Sequence, residues 1–362
     1  MRKIVALLIV VFLITIKTSA SEIISQQAEK FGVDKLEEEL PPAAQLYLDE
    51  VTPGTLDFSG NVSEIVSDSF SKSGGYIRAA VTLMLKTLLI LILCRLVETR
   101  EHAPTGHAVT MAGVMALTVC CAADLRTMIG LGKQTMNEMM DFSALLLPVM
   151  ASAAAASGST TGAGVLYGIT AVSSKILVDF CAQALIPVIY AYLALGVTDS
   201  AFQDTRLEKL RELLAWLVKW GLKAVMYIFT GFMAVSGVLS GNVDATALKA
   251  AKVTLSGMVP VVGGIISDAA ETVLYSAGLL KTAVGTFGML AILAVFAAPF
   301  IGMGLHYLAF KLTAVFGGIM GSSLCSFMEC ITTSMGFLLA MLGSCALMCL
   351  ISCCCFMRMV GI

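Results

Sequence analysis

Thr282–Leu305 reads TAVGTFGMLAILAVFAAPFIGMGL, and no charged side chain interrupts it. A helix needs about 20 predominantly apolar residues to cross the roughly 30 Å hydrocarbon core of a bilayer. Inside that core the backbone must satisfy its own hydrogen bonds, which an α-helix does within a single segment. This stretch therefore predicts a transmembrane helix and points to an all-α membrane protein.

Similar apolar stretches, bounded by charges, lie on both sides of this one. The composition agrees, since 58% of the residues are hydrophobic and 13% are charged, where a soluble domain has about 25%. The mean hydropathy is +0.89. We expect a polytopic transmembrane helix bundle over residues 76–362, with seven or eight spans drawn from Tyr76–Val97, Thr105–Ala123, Phe142–Ser174, Phe180–Thr198, Ala224–Val243, the short Val253–Ser267, Thr282–Leu305, Leu312–Met328 and Ile331–Met357.

The N-terminus has the features of a secretory leader. Arg2 and Lys3 precede the apolar run Ile4–Ile16, and the small residues Thr18–Ala20 follow it. This run is shorter than a membrane span. A cleaved signal peptide at residues 1–20 is therefore favoured, and a retained anchor is the weaker alternative. Residues 21–75 are polar and acidic, so they form a small N-terminal extracytoplasmic segment.

That exported segment is too small for a core of its own. Ser21–Leu48 predicts an amphipathic helix broken at Pro41-Pro42, and Asn61–Phe70 predicts a second one with Val62, Ile65, Val66 and Phe70 on one side. About 55 residues with few aromatics bury little apolar surface. We therefore expect the segment to dock on its own membrane part or on a partner.

Lysine and arginine orient these spans only weakly. Cytoplasmic loops should carry the excess of these residues. With the leader outside, Leu96–Pro104 is cytoplasmic, but the inner loops then hold Arg95, Arg100, Lys249 and Lys252, while the outer loops hold Arg126, Lys133, Arg206, Lys209 and Arg211. The orientation therefore rests on the leader.

Four prolines in the apolar part suggest an internal repeat. Pro148 and Pro187 have the same spacing as Pro260 and Pro299, which predicts repeat units over about 105–198 and 224–305. Inverted repeats with broken helices are typical of secondary transporters, although apolar sequence also matches itself by chance. The expected helix breaks are Pro148, Pro187, Pro260, Gly263, Gly264 and Pro299. A further break is expected at the polar run Ser157–Gly162.

Ionisable residues inside apolar stretches are costly, so each should face protein or water and have a partner. Lys175 and Asp179 stand four residues apart and can share a helix face. Asp268 and Glu271 follow Gly263-Gly264 in the segment Val253–Leu280, which we expect to be re-entrant or broken. The sequence predicts these four residues as the lining of a polar path.

No motif in the chain indicates an enzyme. The three histidines form no metal-binding pattern, and neither a Gly-x-Ser-x-Gly motif nor a Gly-Lys-Ser/Thr phosphate loop is present. The eleven cysteines avoid the exported segment and read as small buried hydrophobes rather than disulfides or metal ligands. We expect no catalytic residues, no cofactor and no metal. A net charge of −2 carries no indication of nucleic-acid binding.

The segment Asp244–Lys281, above all Val259–Gly263 and Ser267–Val273, resembles the stage III sporulation protein AE family, and the order of features along the chain resembles it too. The resemblance implies a non-enzymatic membrane subunit of the channel between mother cell and forespore. It implies a multi-pass location in the mother-cell membrane facing the forespore. The implied partners are other stage III sporulation proteins, including a cytoplasmic ATPase and ring-forming intermembrane proteins, besides the lipid bilayer. The alternative function is a self-contained secondary transporter with an inverted repeat.

Overall fold

The computed structural model describes residues 33–45, 58–98, 103–156, 160–202, 206–231, 263–322 and 324–358; for residues 263–281 it describes the backbone only. All regular structure in these ranges is helical. Six of the described helices are long and apolar enough to cross a membrane. The chain is a polytopic transmembrane helix bundle, as predicted, and six described spans compare with the seven or eight expected.

Three short helices lie within residues 21–75, the segment predicted to be exported. They are α1 (Val33–Glu38), α2 (Pro42–Gln45) and α3 (Phe58–Lys72). Leu36, Ala44 and Ile65 are at most 1% exposed and belong to the main hydrophobic core. The segment therefore docks on the membrane part of its own chain. The apolar face predicted for Asn61–Phe70 was partly wrong, because Val66 and Phe70 are exposed while Ile65 is buried. Residues 1–20, the predicted leader, lie outside the described residues.

Six long helices form the rest of the bundle. The π-helical turn Cys181–Leu185 lies within α6 and separates its two α-helical parts. The helices are α4 (Gly74–Glu98), α5 (Ala103–Ala156), α6 (Thr160–Phe180 and Ile186–Phe202 with that turn), α7 (Arg206–Gly231), α8 (Gly263–Ile319) and α9 (Cys325–Arg358).

Helix α5 corrects the predicted span boundaries. The sequence suggested that Thr105–Ala123 ends in a loop holding Arg126 and Lys133, but one helix of 54 residues runs through this region. Its length is about 80 Å at 1.5 Å per residue. The charges lie on an exposed face, while the opposite face is buried at helical spacing through Leu125, Met128, Ile129, Met136 and Met139. Charges placed in this way do not end a helix.

The predicted proline breaks are also corrected. α5 continues through Pro148 and α8 continues through Pro299. Proline removes one backbone hydrogen bond, and a helix packed on its neighbours tolerates that loss. Pro187 lies two residues after the π-helical turn, where the hydrogen-bond ladder is already displaced. Gly263 and Gly264 are the first described residues of α8, so the break predicted there, like Pro260, lies outside the described residues.

The polar run after α5 does separate two helices, as predicted. α5 ends at Ala156 and α6 begins at Thr160. The turn from α8 to α9 is formed by a glycine in the left-handed conformation, Gly321, with φ of +65°. Its neighbour Ser322 donates its backbone N–H to the Gly317 carbonyl at 3.0 Å, and the Gly321 N–H binds the Gly318 carbonyl at 3.0 Å. This Schellman pattern ends α8. We call the end of the bundle at this turn the turn end, and the opposite end the far end.

Neighbouring contacts show the direction of each helix. α4 runs parallel to α8, because three contacts keep one constant offset along the two chains: Tyr76 with Gly302, Thr87 with Thr313, and Leu91 with Gly317. α5 runs antiparallel to both, with contacts from Gly113 to Cys94, from Gly132 to Met303 and from Leu146 to Gly288. α4 and α8 therefore run toward the turn end, and α5 and α9 run away from it. α6 also runs toward this end and α7 away from it, because Arg211 contacts Asp199 and Gly221 faces Phe180.

This alternation changes the expected grouping of charges. Arg95 lies beside Gly321 at the turn end. Arg211 contacts Ser326, which is at the same end. The sequence had placed Arg206, Lys209 and Arg211 on the opposite side from Arg95, because it counted two crossings where α5 makes one. Five basic residues gather toward the turn end: Arg95, Arg206, Lys209, Arg211 and Lys311.

The stretch Thr282–Leu305 lies largely inside protein. Val284, Phe287, Leu290, Ala291 and Val295 are each at most 2% exposed. α3, α5 and α9 pack around α8, so the hydrophobicity of this stretch serves helix packing more than lipid contact. Exposed apolar side chains instead concentrate toward the turn end, on α4 (Val81, Leu85, Leu89, Ile92, Leu93, Leu96) and α8 (Leu308, Leu312, Val315, Phe316, Ile319).

Candidate functional site

A buried polar cluster joins three helices at the turn end. Arg211, near the start of α7, places its Nη1 3.4 Å from the Asp199 Oδ2 near the end of α6. The same Nη1 donates a hydrogen bond to Ser326 Oγ of α9 at 3.5 Å. The two charged side chains are only 15% and 10% exposed. Only residues 203–205 separate the described ends of α6 and α7, so the connection brings the two charges together.

A close contact between α6 and α9 lies beside this cluster. The Cys330 thiol of α9 donates to the Tyr192 carbonyl of α6 at 3.7 Å. The Tyr192 ring meets the Phe337 ring edge-on, with centroids 5.6 Å apart. Gly196 faces Cys330 so closely that a Cβ at this position would overlap the sulfur. Glycine at position 196 therefore permits the close approach of the two helices.

A cavity of about 510 Å³ lies next to this contact, between α5, α6 and α9. Its volume falls within the roughly 300–1,000 Å³ usual for small-molecule sites. The lining is apolar except for a few side chains, and Arg126 is its only charged residue. The lining residues are Thr118, Cys121, Ala122, Leu125, Arg126, Tyr190, Leu193, Ala194, Val197, Phe327 and Ile331.

The predicted polar-path residues do not form part of this site. Lys175 and Asp179 are both exposed on α6, and no ion pair joins them in the part of the chain that the structure describes. Asp268 and Glu271 lie on the backbone of α8, in the stretch whose side chains are outside the description. That these four residues line a path stays a prediction.

Sequence reasoning missed the pair of Asp199 and Arg211. A signal was present, since Asp199 ends an apolar stretch and Arg211 stands in the charged run that follows. Arg211 was interpreted as one loop charge among several. Only the packing of α7 against α6 and α9 shows that its side chain turns inward.

Most other buried polar groups are satisfied locally, but the buried Ser174 and Ser200 hydroxyls have no hydrogen-bond partner among the described residues. His306 is 1% exposed, and its Nδ1 lies 2.9 Å from the Gly302 carbonyl, so its Nδ1–H tautomer donates within α8. Thr87 and Thr313 share a 3.3 Å hydroxyl contact between α4 and α8. All eleven cysteines are free. Among the described residues no group of three or more His, Cys, Asp or Glu side chains could hold a metal ion.

Comparison with known proteins connects this architecture to one family. The family model described as Stage III sporulation protein AE matches residues 44–359, a range that includes all six long helices. The curated Stage III sporulation protein AE of Bacillus subtilis (strain 168) is 23% identical over 271 residues, which cover 74% of this chain and 67% of that relative. No solved structure matches the chain.

Proposed function

The chain belongs to the stage III sporulation protein AE family, and from this premise we propose that it is a non-enzymatic membrane subunit of a multiprotein channel or export complex between mother cell and forespore. The observation that carries the proposal is the family match over residues 44–359. The match includes most of the exported segment as well as the bundle, so the proposal concerns the chain as a whole.

We further propose that the subunit works with other stage III sporulation proteins, including a cytoplasmic ATPase and ring-forming proteins between the two membranes. The sequence supports dependence on a partner for energy, because it holds no Gly-Lys-Ser/Thr phosphate loop that would bind ATP in the usual way. In the proposed location, the mother-cell membrane, the exported helices α1–α3 face the forespore. Their packing on the bundle supports a fixed platform for such partners.

The proposed orientation rests on the predicted leader. The predicted leader exports the segment that contains α3. Basic residues do not distinguish the two ends, because Arg95, Arg206, Lys209, Arg211 and Lys311 lie toward the turn end while Lys72, Arg78, Lys133, Lys175 and Arg358 lie toward the far end. We propose that the turn end faces the cytoplasm and that the far end faces the intermembrane space.

Labelling of introduced cysteines tests this orientation. Ser63 on α3 and Glu208 on α7 are both exposed. In spheroplasts of non-sporulating cells that express the chain in the cell membrane, an impermeant thiol reagent should label Ser63→Cys directly and Glu208→Cys only after lysis. Labelling of the unchanged chain is subtracted as background. Access to both positions from the same side would contradict the direction assigned to α7, and access to Ser63→Cys only after lysis would reverse the whole orientation.

Purification from sporulating cells tests the function. We expect the tagged chain to bring down membrane and ATPase partners, and the purified chain alone to show no gradient-driven solute flux in vesicles. Strong flux without partners would instead support the self-contained transporter. A variant with Asp268→Asn and Glu271→Gln should still bind the partners yet lower sporulation by more than an order of magnitude, because a hydrated path needs its charged lining. Normal sporulation of this variant would remove the two acids from the path.

A further inference from the structure

The cavity between α5, α6 and α9 opens to the outside of the bundle. Four of its lining residues are exposed: Ala122, Arg126, Tyr190 and Ala194. The neighbouring outer surface of α5 is apolar, since Met115 is 65% and Val119 is 78% exposed. Apolar side chains this exposed belong at membrane depth. The mouth of the cavity therefore opens toward lipid.

The depth of Arg126 can be measured along α5. Gly113 packs against Leu324 at the turn end, and Arg126 follows about 20 Å further along the helix at 1.5 Å per residue. In a hydrocarbon core of roughly 30 Å, this places its Cα nearer the far-end headgroup layer. A long arginine side chain reaches that layer by extending along the helix surface.

Among the described residues the guanidinium of Arg126 has no anionic partner. It takes part in none of the ion pairs or hydrogen bonds found within the described ranges. An unpaired cation at membrane depth is costly, and an anion at the mouth of the cavity would offset that cost. Guanidinium binds phosphate with two parallel hydrogen bonds, which makes phosphate a fitting partner.

We propose that this cavity binds one anionic phospholipid from the far-end leaflet, with the phosphate on Arg126 and an acyl chain in the apolar cavity. From Arg126 the lining descends along α5 through Leu125, Ala122 and Cys121 to Thr118, a depth of about 12 Å. Phe327 and Ile331 of α9 close the inner side. The bound chain would then fill the space between α5, α6 and α9 that these helices leave open.

Native mass spectrometry of the full-length protein, after removal of lipid, tests the site. The probes are phosphatidylglycerol and phosphatidylcholine with identical acyl chains. We expect the unchanged protein to retain phosphatidylglycerol preferentially, because the phosphate of phosphatidylcholine is already neutralised by its own choline cation. Arg126→Gln should reduce that preference at least about tenfold, because the charge-assisted hydrogen bonds of the guanidinium to the phosphate are lost. Arg78→Gln is the matched control, because Arg78 is also an exposed arginine on a membrane helix but does not line the cavity.

A second variant tests the cavity itself. Ala194→Trp places a large side chain at the mouth and should abolish retention of both lipids. Equal loss of preference in Arg126→Gln and Arg78→Gln would overturn the role of Arg126. Undiminished retention in Ala194→Trp would overturn the cavity as the site. Retention of a free fatty acid as strong as that of phosphatidylglycerol would overturn recognition of the phosphate.

Discussion

Replacing Arg211 by leucine is expected to lower the free energy of unfolding by about 3 kcal/mol or more, because breaking a buried ion pair leaves a buried charge behind. Asp199 is 8% exposed and its side chain lies between three helix ends. It has a further interaction besides Arg211, which keeps the expected loss at the low end of the roughly 3–5 kcal/mol seen for such pairs. Unfolding by a denaturing detergent in mixed micelles, followed by helical circular dichroism, measures the change.

A matched control lies on the same helix. Lys209 pairs with Glu212 at 2.9 Å, but the two side chains are 74% and 58% exposed. Exposed pairs contribute little because water and salt screen them. Lys209→Gln should therefore leave stability almost unchanged. The double variant Asp199→Leu with Arg211→Leu should recover most of the loss, since it removes both buried charges. Equal loss in Arg211→Leu and Lys209→Gln would contradict the buried cluster.

Gly196→Ala is expected to cost about 1–3 kcal/mol of stability, although alanine is the better helix former. The added Cβ would overlap Cys330 Sγ, and the Cys330 Cβ lies only 3.1 Å away, so α6 and α9 must move apart. The same detergent titration reports this loss. The widened gap should also weaken the Cys330 thiol contact with the Tyr192 carbonyl.

A control and a rescue make the test specific. Gly168 on the same helix has open space around it, so Gly168→Ala should be neutral or slightly stabilising through helix propensity. Adding Cys330→Ala to Gly196→Ala removes the overlapping sulfur and should restore part of the stability, a coupling that contacting residues show. Independent, additive effects of the two substitutions would exclude the close contact between α6 and α9.

Local features of the fold could be predicted well. The amphipathic pattern of Asn61–Phe70 predicted a helix, and α3 contains it. The Ser157–Gly162 run predicted a break, and α5 ends just before it. Such features depend on backbone propensities and on a few neighbouring residues. The buried face of a helix was harder to predict, because the burial of Ile65 and the exposure of Phe70 depend on where α3 meets α8.

The candidate site could not be predicted for the same reason. The sequence singled out Lys175 and Asp179 because opposite charges four residues apart can meet on one helix face. The structure leaves both exposed. The buried pair of Asp199 and Arg211 comes from two different helices, and no spacing rule reports contacts across a turn and between three helices.

The sequence by itself determined the class of this protein. The uncharged stretches require helices in lipid, because each helix satisfies its own backbone hydrogen bonds. The resemblance around Val259–Gly263 also indicated the family that the match over residues 44–359 confirms. These conclusions need only composition, length and local pattern, and they do not depend on how the helices meet.

Only the tertiary structure decided which apolar residues face lipid and which side each charge lies on. Hydropathy treats the interior of a bundle and the interior of a bilayer alike, so Thr282–Leu305 reads as a lipid-facing span although its core residues pack against protein. Charged residues occur both in loops and on the polar face of a continuous helix. The charged residues Arg126 and Lys133 lie on such a helix, α5. Because α5 crosses once where the sequence predicted two crossings, the helices after it run in the opposite direction to the one expected. Arg211 therefore lies at the same end as Arg95.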